Sequence, residues 1–120
     1  MKDEAVAAPV GAGAERRTFA RRALRNTAFL LLPGGKTLEV RTVDISAGGM
    51  GILVDVNPPR GATFSIRVSL PLKIRGYDTF ESRVQVMQSV YGSAEGHFKV
   101  GLRFIDLEAS AVVAIAGFMS

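Results

Sequence analysis

Short runs of alternating apolar and polar residues constrain the fold of this sequence more than any other feature. Over residues 64–70, Phe, Ile, Val and Leu alternate with Ser, Arg and Ser, which predicts a β-strand with one buried face. Five further runs have the length of strands and are bounded by turn-forming residues; they cover residues 26–32, 37–45, 50–54, 79–91 and 98–104. Turn signals at such short intervals are typical of a small antiparallel barrel or sandwich.

Within the run from 37 to 45, the apolar phase slips by one residue. Leu38 and Val40 share one face of a strand, whereas Val43 and Ile45 continue one position out of step. This slip predicts a β-bulge or a bend just before Val43.

The C-terminal residues predict a short helix. Asp106 is a favourable N-cap for a helix that starts at Leu107. Apolar residues then recur at near-helical spacing, at Leu107, Ala111, Ile115 and Phe118. One face of this helix is therefore expected to pack onto the sheet.

The chain of 120 residues is predicted to form one domain over residues 15–120, after a disordered lead-in over residues 1–14. Apolar residues make up 48% of the sequence, which is enough for a packed core. The sequence has no Cys, no secretory signal and no apolar run long enough to span a membrane, which favours a cytoplasmic protein. The initial Met and the lead-in favour a whole protein over an excised domain.

Positive charge is concentrated in one short segment. Residues 16–25, which we call the arginine arm, hold five arginines and no acid, whereas the whole chain has a net charge of only +4. A general polyanion binder spreads its charge over a face. One compact cluster of guanidinium groups favours a small, multiply charged anion, because the guanidinium fork suits phosphate and guanine.

Few residues could support catalysis or metal binding. His97 is the only histidine, and without Cys no common zinc site can be assembled, so we expect His97 to be structural or solvated. Asp44, Ser46 and His97 could be imagined as a triad, but nothing in the sequence places His97 between the other two. The acids are scattered, with no close pair for acid–base catalysis. We expect no enzyme activity, no metal and no cofactor.

A small barrel with a basic arm also suits nucleic-acid binding. Single-strand binding needs aromatic rings on the solvent face for base stacking. Four phenylalanines instead fall on the apolar phase of their strands and are predicted to be core residues: Phe64, Phe80, Phe98 and Phe104. There is no Trp; Tyr77 is predicted at a strand start, and Tyr91 in a loop over residues 91–96. We expect no nucleic-acid partner, although this alternative stays open.

Two motifs in a fixed order carry a family resemblance. Arg16 precedes Arg17-x-x-x-Arg21, and Asp44-x-Ser46-x-x-Gly49 follows about two dozen residues later. This pair resembles the motifs of the PilZ domain, a bacterial receptor module for cyclic diguanylate (c-di-GMP). The likeness covers roughly residues 15–119. It implies a six-stranded antiparallel, split β-barrel with a short C-terminal α-helix. The domain would bind its ligand without catalysing a reaction.

The resemblance also implies roles for the motif residues. Arg17 and Arg21 are expected to bind phosphates and guanine edges, and Asp44 and Ser46 to hydrogen-bond guanine. Gly49 is expected to leave room for ligand and backbone. Arg16 is expected to contact a second, stacked ligand molecule; the alternative for Arg16, and the expectation for Arg22 and Arg25, is solvated charge on the arm or the barrel rim.

The implied function is that of a c-di-GMP receptor or adaptor. Ligand binding would change the conformation of the arginine arm, and the signal would pass to an effector protein that the sequence does not identify. The usual outputs of the family are motility, exopolysaccharide production and virulence. Two alternatives are a PilZ-fold interaction module without a ligand, and the basic-arm nucleic-acid binder.

Overall fold

The computed structural model describes residues 20–92 and 96–120, so the predicted lead-in lies outside the described residues. Its elements, in chain order, are β1 (Arg22–Ala23), β2 (Thr27–Leu31), a 3₁₀ turn (Pro33–Gly35), β3 (Thr37–Ile45), β4 (Gly49–Val54), β5 (Thr63–Pro71), β6 (Tyr77–Gly92), β7 (His97–Ile105) and helix α1 (Ala109–Met119). Strands β2 to β7 coincide with the six predicted strands. The two-residue strand β1, within the arginine arm, was not predicted.

The six long strands form a closed barrel. They pair antiparallel in the order β3-β2-β5-β6-β7-β4, and β4 pairs in turn with β3 to close the sheet. Strand β1 pairs with the last residues of β3, on the same side of β3 as β2. The predicted six-stranded antiparallel barrel with a C-terminal helix is confirmed.

Inward-facing apolar side chains fill the barrel, as the two-residue period predicts. Phe80 and Phe104 are buried, and their rings meet edge to face with centroids 6.0 Å apart. Phe64 and Phe98 are half-buried and pack against the same core. All four rings therefore belong to the core region, as predicted, and are not presented as a solvent-facing stacking surface.

The predicted irregularity in β3 is a β-bulge at Val43. Thr42 pairs with Ile52 and Asp44 pairs with Gly51, so β3 has one more residue than β4 over this interval. The bulge changes the inward-facing phase of the strand, because Thr42 is buried and Ile45, three residues later, is buried as well.

The helix prediction was wrong at its start. Helix α1 begins at Ala109 with Glu108 as its N-cap, not at Leu107. Asp106 does not cap the helix, because its backbone is left-handed, with φ = 54°. The chain turns sharply at this residue after β7. Of the predicted helix face, Ala111 and Ile115 are buried, together with Ala114, while Leu107 and Phe118 are partly buried against the core.

The loop predicted over residues 91–96 is shorter than expected. Tyr91 and Gly92 are the last two residues of β6 and pair with Phe98 and His97 of β7. The Tyr91 and Phe98 rings meet edge to face at 5.2 Å, a contact that favours continued pairing. Residues 93–95 of the predicted loop lie outside the described residues.

Candidate functional site

The arginine arm joins the barrel through an apolar anchor. Leu24 is 2% exposed and inserts into the core, while its backbone N–H donates a hydrogen bond to the carbonyl of the bulge residue Val43 at 3.0 Å. Arg22 and Ala23 pair with Ile45 and Asp44, respectively. The buried anchor therefore fixes the last residues of the arm beside the end of β3.

Thr42 reinforces this anchor. Its buried hydroxyl donates to the Leu24 carbonyl at 2.5 Å and accepts a hydrogen bond from the Asn26 backbone N–H at 2.8 Å. The Thr42 N–H in turn donates to the Asn26 carbonyl at 2.8 Å. Sequence reasoning missed Thr42, although a Thr in the apolar phase of a strand was a signal that a buried hydroxyl needs partners.

Arg21 and Asp44, from the two halves of the predicted site, are in direct contact. The Arg21 Nη1 donates to the Asp44 Oδ1 at 3.0 Å. The side chains are 45% and 23% exposed, so the pair lies at the surface and contributes little to stability. The contact matters because it brings an arginine of the arm next to the only acid of the second motif.

Gly51 provides the space that the Asp44 carboxylate occupies. A Cβ at Gly51 would lie 2.9 Å from the Asp44 Oδ1, which is closer than real Cβ contacts allow. Gly51 and Asp44 are partners across β3 and β4. Sequence reasoning missed Gly51 as a site residue, because a glycine in this stretch was explained equally well by the turn.

Ser46 organises the turn between β3 and β4. It is 3% exposed, and its Oγ accepts hydrogen bonds from the N–H groups of Gly48 and Gly49, each at 3.2 Å. The Ser46 N–H donates to the Gly49 carbonyl at 2.8 Å. Strand β3 ends at Ile45, so Ser46 lies in the turn and not on the strand that carries Asp44. Direct contact between its hydroxyl and a guanine remains a prediction.

Gly49 is required by the barrel itself. A Cβ at this position would lie 2.1 Å from the backbone carbonyl oxygen of Leu102 on β7. The resemblance implies that Gly49 leaves space for the ligand and the backbone. At the Cβ position, the backbone of β7 occupies that space.

The other arginines of the arm lie in three different settings. Arg22 donates from Nη1 to the Phe118 carbonyl in the last turn of α1, and its guanidinium lies 4.4 Å from the centre of the Phe118 ring. This contact ties the arm to the C-terminus of the helix. Arg25 is exposed. Arg16 and Arg17 lie outside the described residues, so their predicted roles remain predictions.

A cleft of about 290 Å³ opens between the arm, the turn and α1. Its lining is largely apolar and consists of Ala20, Ala47, Leu107, Val112, Ile115, Ala116 and Met119. The predicted ligand residues therefore border a non-polar surface on the helix side.

His97 does not approach the site. Its Nδ1 lies 2.7 Å from the Asp55 Oδ1, just beyond the end of β4 that is opposite to Gly49. His97 is thus a partly solvated surface residue, as predicted, and it forms no triad with Asp44 and Ser46. Within residues 20–92 and 96–120, no three His, Asp or Glu side chains are grouped closely enough to hold a metal ion.

Arg21 and Asp44 thus lie side by side at the end of the barrel where the arm enters. A family model described as the PilZ domain matches residues 15–119. The chain therefore belongs to the PilZ domain family, a family of c-di-GMP receptors and adaptors rather than enzymes. No curated protein sequence matches it.

Solved structures with the same fold include two that were determined with c-di-GMP. The PilZ domain of Escherichia coli YcgR, solved with c-di-GMP, is 20% identical at a TM-score of 0.63 and covers 86% of this chain and 88% of that one. The complex of K. pneumoniae MrkH with c-di-GMP is 15% identical at a TM-score of 0.66, covering 88% and 52%.

The Bacillus subtilis inhibitor of motility, MotI/DgrA, is 16% identical at a TM-score of 0.75, covering 88% of this chain and 51% of that one. The chain thus spans about half the length of MotI/DgrA and MrkH. Identities this low establish the shared fold alone. Among the residues that the structure describes, no helix is long and apolar enough to cross a membrane.

Proposed function

We propose that the chain is a c-di-GMP receptor whose site lies where the arginine arm enters the barrel. Arg17 and Arg21 bind phosphates and guanine edges, Asp44 reads guanine, and Gly49 keeps β4 close to β7 beneath the site. Ser46 holds the turn and faces the same ligand, and Arg16 contacts a second, stacked ligand molecule. The observation that carries this proposal is the 3.0 Å contact between Arg21 and Asp44.

The chemistry of the two side chains matches the two chemical groups of the ligand. A guanidinium donates to phosphate oxygens and to the O6 and N7 atoms of guanine. A carboxylate accepts from the guanine N1–H and the 2-amino group, which neither Lys nor Arg can do. A ligand with two phosphates and two guanines can therefore bind to both Arg21 and Asp44.

Ligand binding would replace the Arg21–Asp44 contact. The Asp44 oxygen that accepts from Arg21 would instead accept from a guanine donor, so the ligand competes with Arg21 for this oxygen. Because the exposed ion pair is weak, its loss costs little. The pair keeps both side chains at the site before the ligand arrives, which lowers the entropy cost of binding.

The output of this receptor is a change in the arm that a partner protein detects. Leu24 anchors the arm to the barrel at one end, and ligand contacts made by Arg16 and Arg17 would change the conformation of the arm. The segment from residue 15 onwards thus belongs to the domain, after the lead-in over residues 1–14. The effector that detects this surface is a protein, and motility or exopolysaccharide production is the regulated process.

Calorimetric titration with c-di-GMP tests the site residue by residue. Arg21→Ala and Asp44→Asn should each weaken binding roughly ten- to a hundredfold, because each removes one charge-assisted contact worth about 1.5–3 kcal/mol. Arg67→Ala is a matched control: Arg67 is also 45% exposed and also pairs with an acid, Glu81 at 2.8 Å, but on the outer face of β5 and β6.

The control should bind like the unmodified chain. Equal affinity in all four proteins would show that Arg21 and Asp44 do not form the site. No binding by the unmodified chain would favour the alternative of a PilZ-fold interaction module without a ligand.

A further inference from the structure

The tip of the hairpin between β5 and β6 combines exposed apolar side chains with basic ones. Its sequence from 71 to 77 is PLKIRGY. Ile74 is 95% exposed, Tyr77 is 63% exposed and Leu72 is 51% exposed. Lys73 and Arg75 alternate with these residues and are exposed as well. We call residues 71–77 the hairpin tip.

The hairpin tip projects beyond the barrel. On one side, β5 pairs with β2 no further than Val68; on the other, β6 pairs with β7 only from Arg83 onwards. The six residues from Tyr77 to Ser82 therefore extend about 20 Å past the last pair with β7. Helix α1 contacts β5 and β6, but the side chains of the tip are exposed.

The turn gives the tip a defined shape. The Leu72 N–H donates to the Gly76 carbonyl at 2.9 Å and closes the loop. Gly76 has φ = 88°, a left-handed conformation that favours glycine. Lys73, Ile74 and Arg75 therefore lie at the convex end of a closed hairpin, not in a groove.

Charge at the tip has one sign. Between Pro71 and Tyr77 there are two basic residues and no acid; the nearest acid in sequence, Asp78, directly follows the tip and pairs with Leu70. Neither Lys73 nor Arg75 pairs with an acid of the described residues. Single exposed apolar residues are ordinary on protein surfaces, but the hairpin tip has three on one convex loop, and they alternate with basic residues.

We propose that the hairpin tip docks onto an anionic lipid surface. Ile74 and Leu72 enter the headgroup region, Tyr77 lies at the boundary between apolar and polar layers, and Lys73 and Arg75 bind lipid phosphates. A convex tip suits a bilayer, which yields around an inserted loop, better than it suits a preformed protein surface. With so few apolar residues, docking is reversible and depends on lipid charge.

The tip lies at the same end of the barrel as the arginine arm. Asn26, which directly follows the arm, donates from Nδ2 to the carbonyl of Ser69 on β5, two residues before Pro71. Docking by the tip would therefore hold the ligand end of the barrel near the lipid surface. The proposal does not depend on the proposed function, and its test needs no dinucleotide.

Vesicle flotation with the full chain tests this proposal. The chain should float with vesicles of phosphatidylcholine mixed with phosphatidylglycerol and not with phosphatidylcholine alone. The double variant Lys73→Gln/Arg75→Gln should lower the partition coefficient at least tenfold, since each cation contributes roughly fivefold at an anionic surface. The double variant Leu72→Ser/Ile74→Ser should lower it about tenfold or more through lost apolar burial.

The matched control lies at the opposite end of the barrel. Val56 is 61% exposed and Arg60 is exposed, both in the loop between β4 and β5. Val56→Ser/Arg60→Gln should float like the unmodified chain, and circular dichroism should show that all variants are folded.

Two results would overturn the proposal. Flotation that is unchanged by both tip variants would assign lipid binding to the arginine arm, which is also cationic. No flotation with anionic vesicles would leave the tip as a surface for a protein partner.

Discussion

Gly49 and Gly51 flank Met50 at the start of β4, and each avoids a clash with a different kind of neighbour. At Gly49 the neighbour is backbone, because a Cβ would lie 2.1 Å from the Leu102 carbonyl oxygen. At Gly51 it is the end of a side chain, the Asp44 Oδ1 at 2.9 Å. Gly49 is thus needed for the close approach of β4 and β7, whereas Gly51 leaves space for the Asp44 carboxylate.

We expect Gly51→Ala to impair the site more than the fold. The new methyl group would push the Asp44 carboxylate away from Arg21, and a side-chain end can move at low cost. Affinity for c-di-GMP should fall about tenfold, while the free energy of unfolding should change by less than about 1 kcal/mol. Titration calorimetry and urea unfolding measure both quantities; unchanged affinity would separate Gly51 from the site.

Gly49→Ala should have the opposite profile. The added Cβ meets the backbone of β7, which can move only if the barrel pairing between β4 and β7 opens. We expect a loss of at least about 1–3 kcal/mol in the free energy of unfolding, as for overpacked cores. A urea unfolding curve that matches the unmodified chain would refute the requirement for close strand approach.

At the scale of elements, the arm depends on its attachment to β3. The buried Thr42 hydroxyl bridges the Leu24 carbonyl and the Asn26 N–H, so it fixes the arm on both sides of residue 25. Thr42→Val would leave these two buried backbone groups without a partner. We expect a loss of about 1–3 kcal/mol in unfolding free energy and weaker binding of c-di-GMP.

Thr42→Ser serves as the control for this prediction, since it keeps the hydroxyl and removes only a methyl group. It should retain most of the stability and the affinity. If Val and Ser variants unfold alike, the methyl group and not the hydrogen bonds would be responsible.

Helix α1 has an N-cap that can be improved. Glu108 occupies the N-cap position with φ = −68° and ψ = 154°, and its side chain makes no capping hydrogen bond. Glu108→Ser should supply that bond and raise the free energy of unfolding by about 1 kcal/mol. Glu108→Gln removes the same charge without a short capping side chain, so it should not stabilise the chain in the same urea unfolding experiment.

The sequence predicted the six long strands and the bulge well, because both depend on a local apolar phase. It failed at Asp106 because a residue that favours N-caps also tolerates the left-handed conformation found there. It did not predict the contact of Arg22 with Phe118, which joins residues 96 positions apart. It assigned a ligand role to Gly49 and none to Gly51, because the neighbours that restrict the two positions come from β7 and β3 and are distant in sequence.

At the scale of the whole molecule, the features that we propose to bind the ligand lie at one end of a closed barrel. The arm, the turn at Ser46 and helix α1 meet there, while His97 and the loop containing Arg60 lie at the other end. Because the sheet is closed, we expect the barrel to keep its structure when the ligand binds. Conformational changes should be confined to the end that holds the arm.

Hydrogen exchange with and without c-di-GMP tests this local response. We expect slower amide exchange over residues 20–26 and 44–49 when the ligand is bound, because the arm is held against the turn. Residues 55–62, at the far end, should exchange at the same rate in both states. Uniform slowing along the chain, or none in the arm, would contradict an arm-centred response.

The central claim is that the end of the barrel that holds Arg21 and Asp44 recognises guanine as well as phosphate. Titration calorimetry of the unmodified chain with c-di-GMP and with cyclic diadenylate tests it directly, since both ligands carry the same two phosphates. We predict binding of c-di-GMP in the micromolar range or tighter, and binding of cyclic diadenylate at least about tenfold weaker, because adenine has no N1–H or 2-amino group for Asp44. Equal affinity for the two ligands, or no binding of c-di-GMP, would contradict the account.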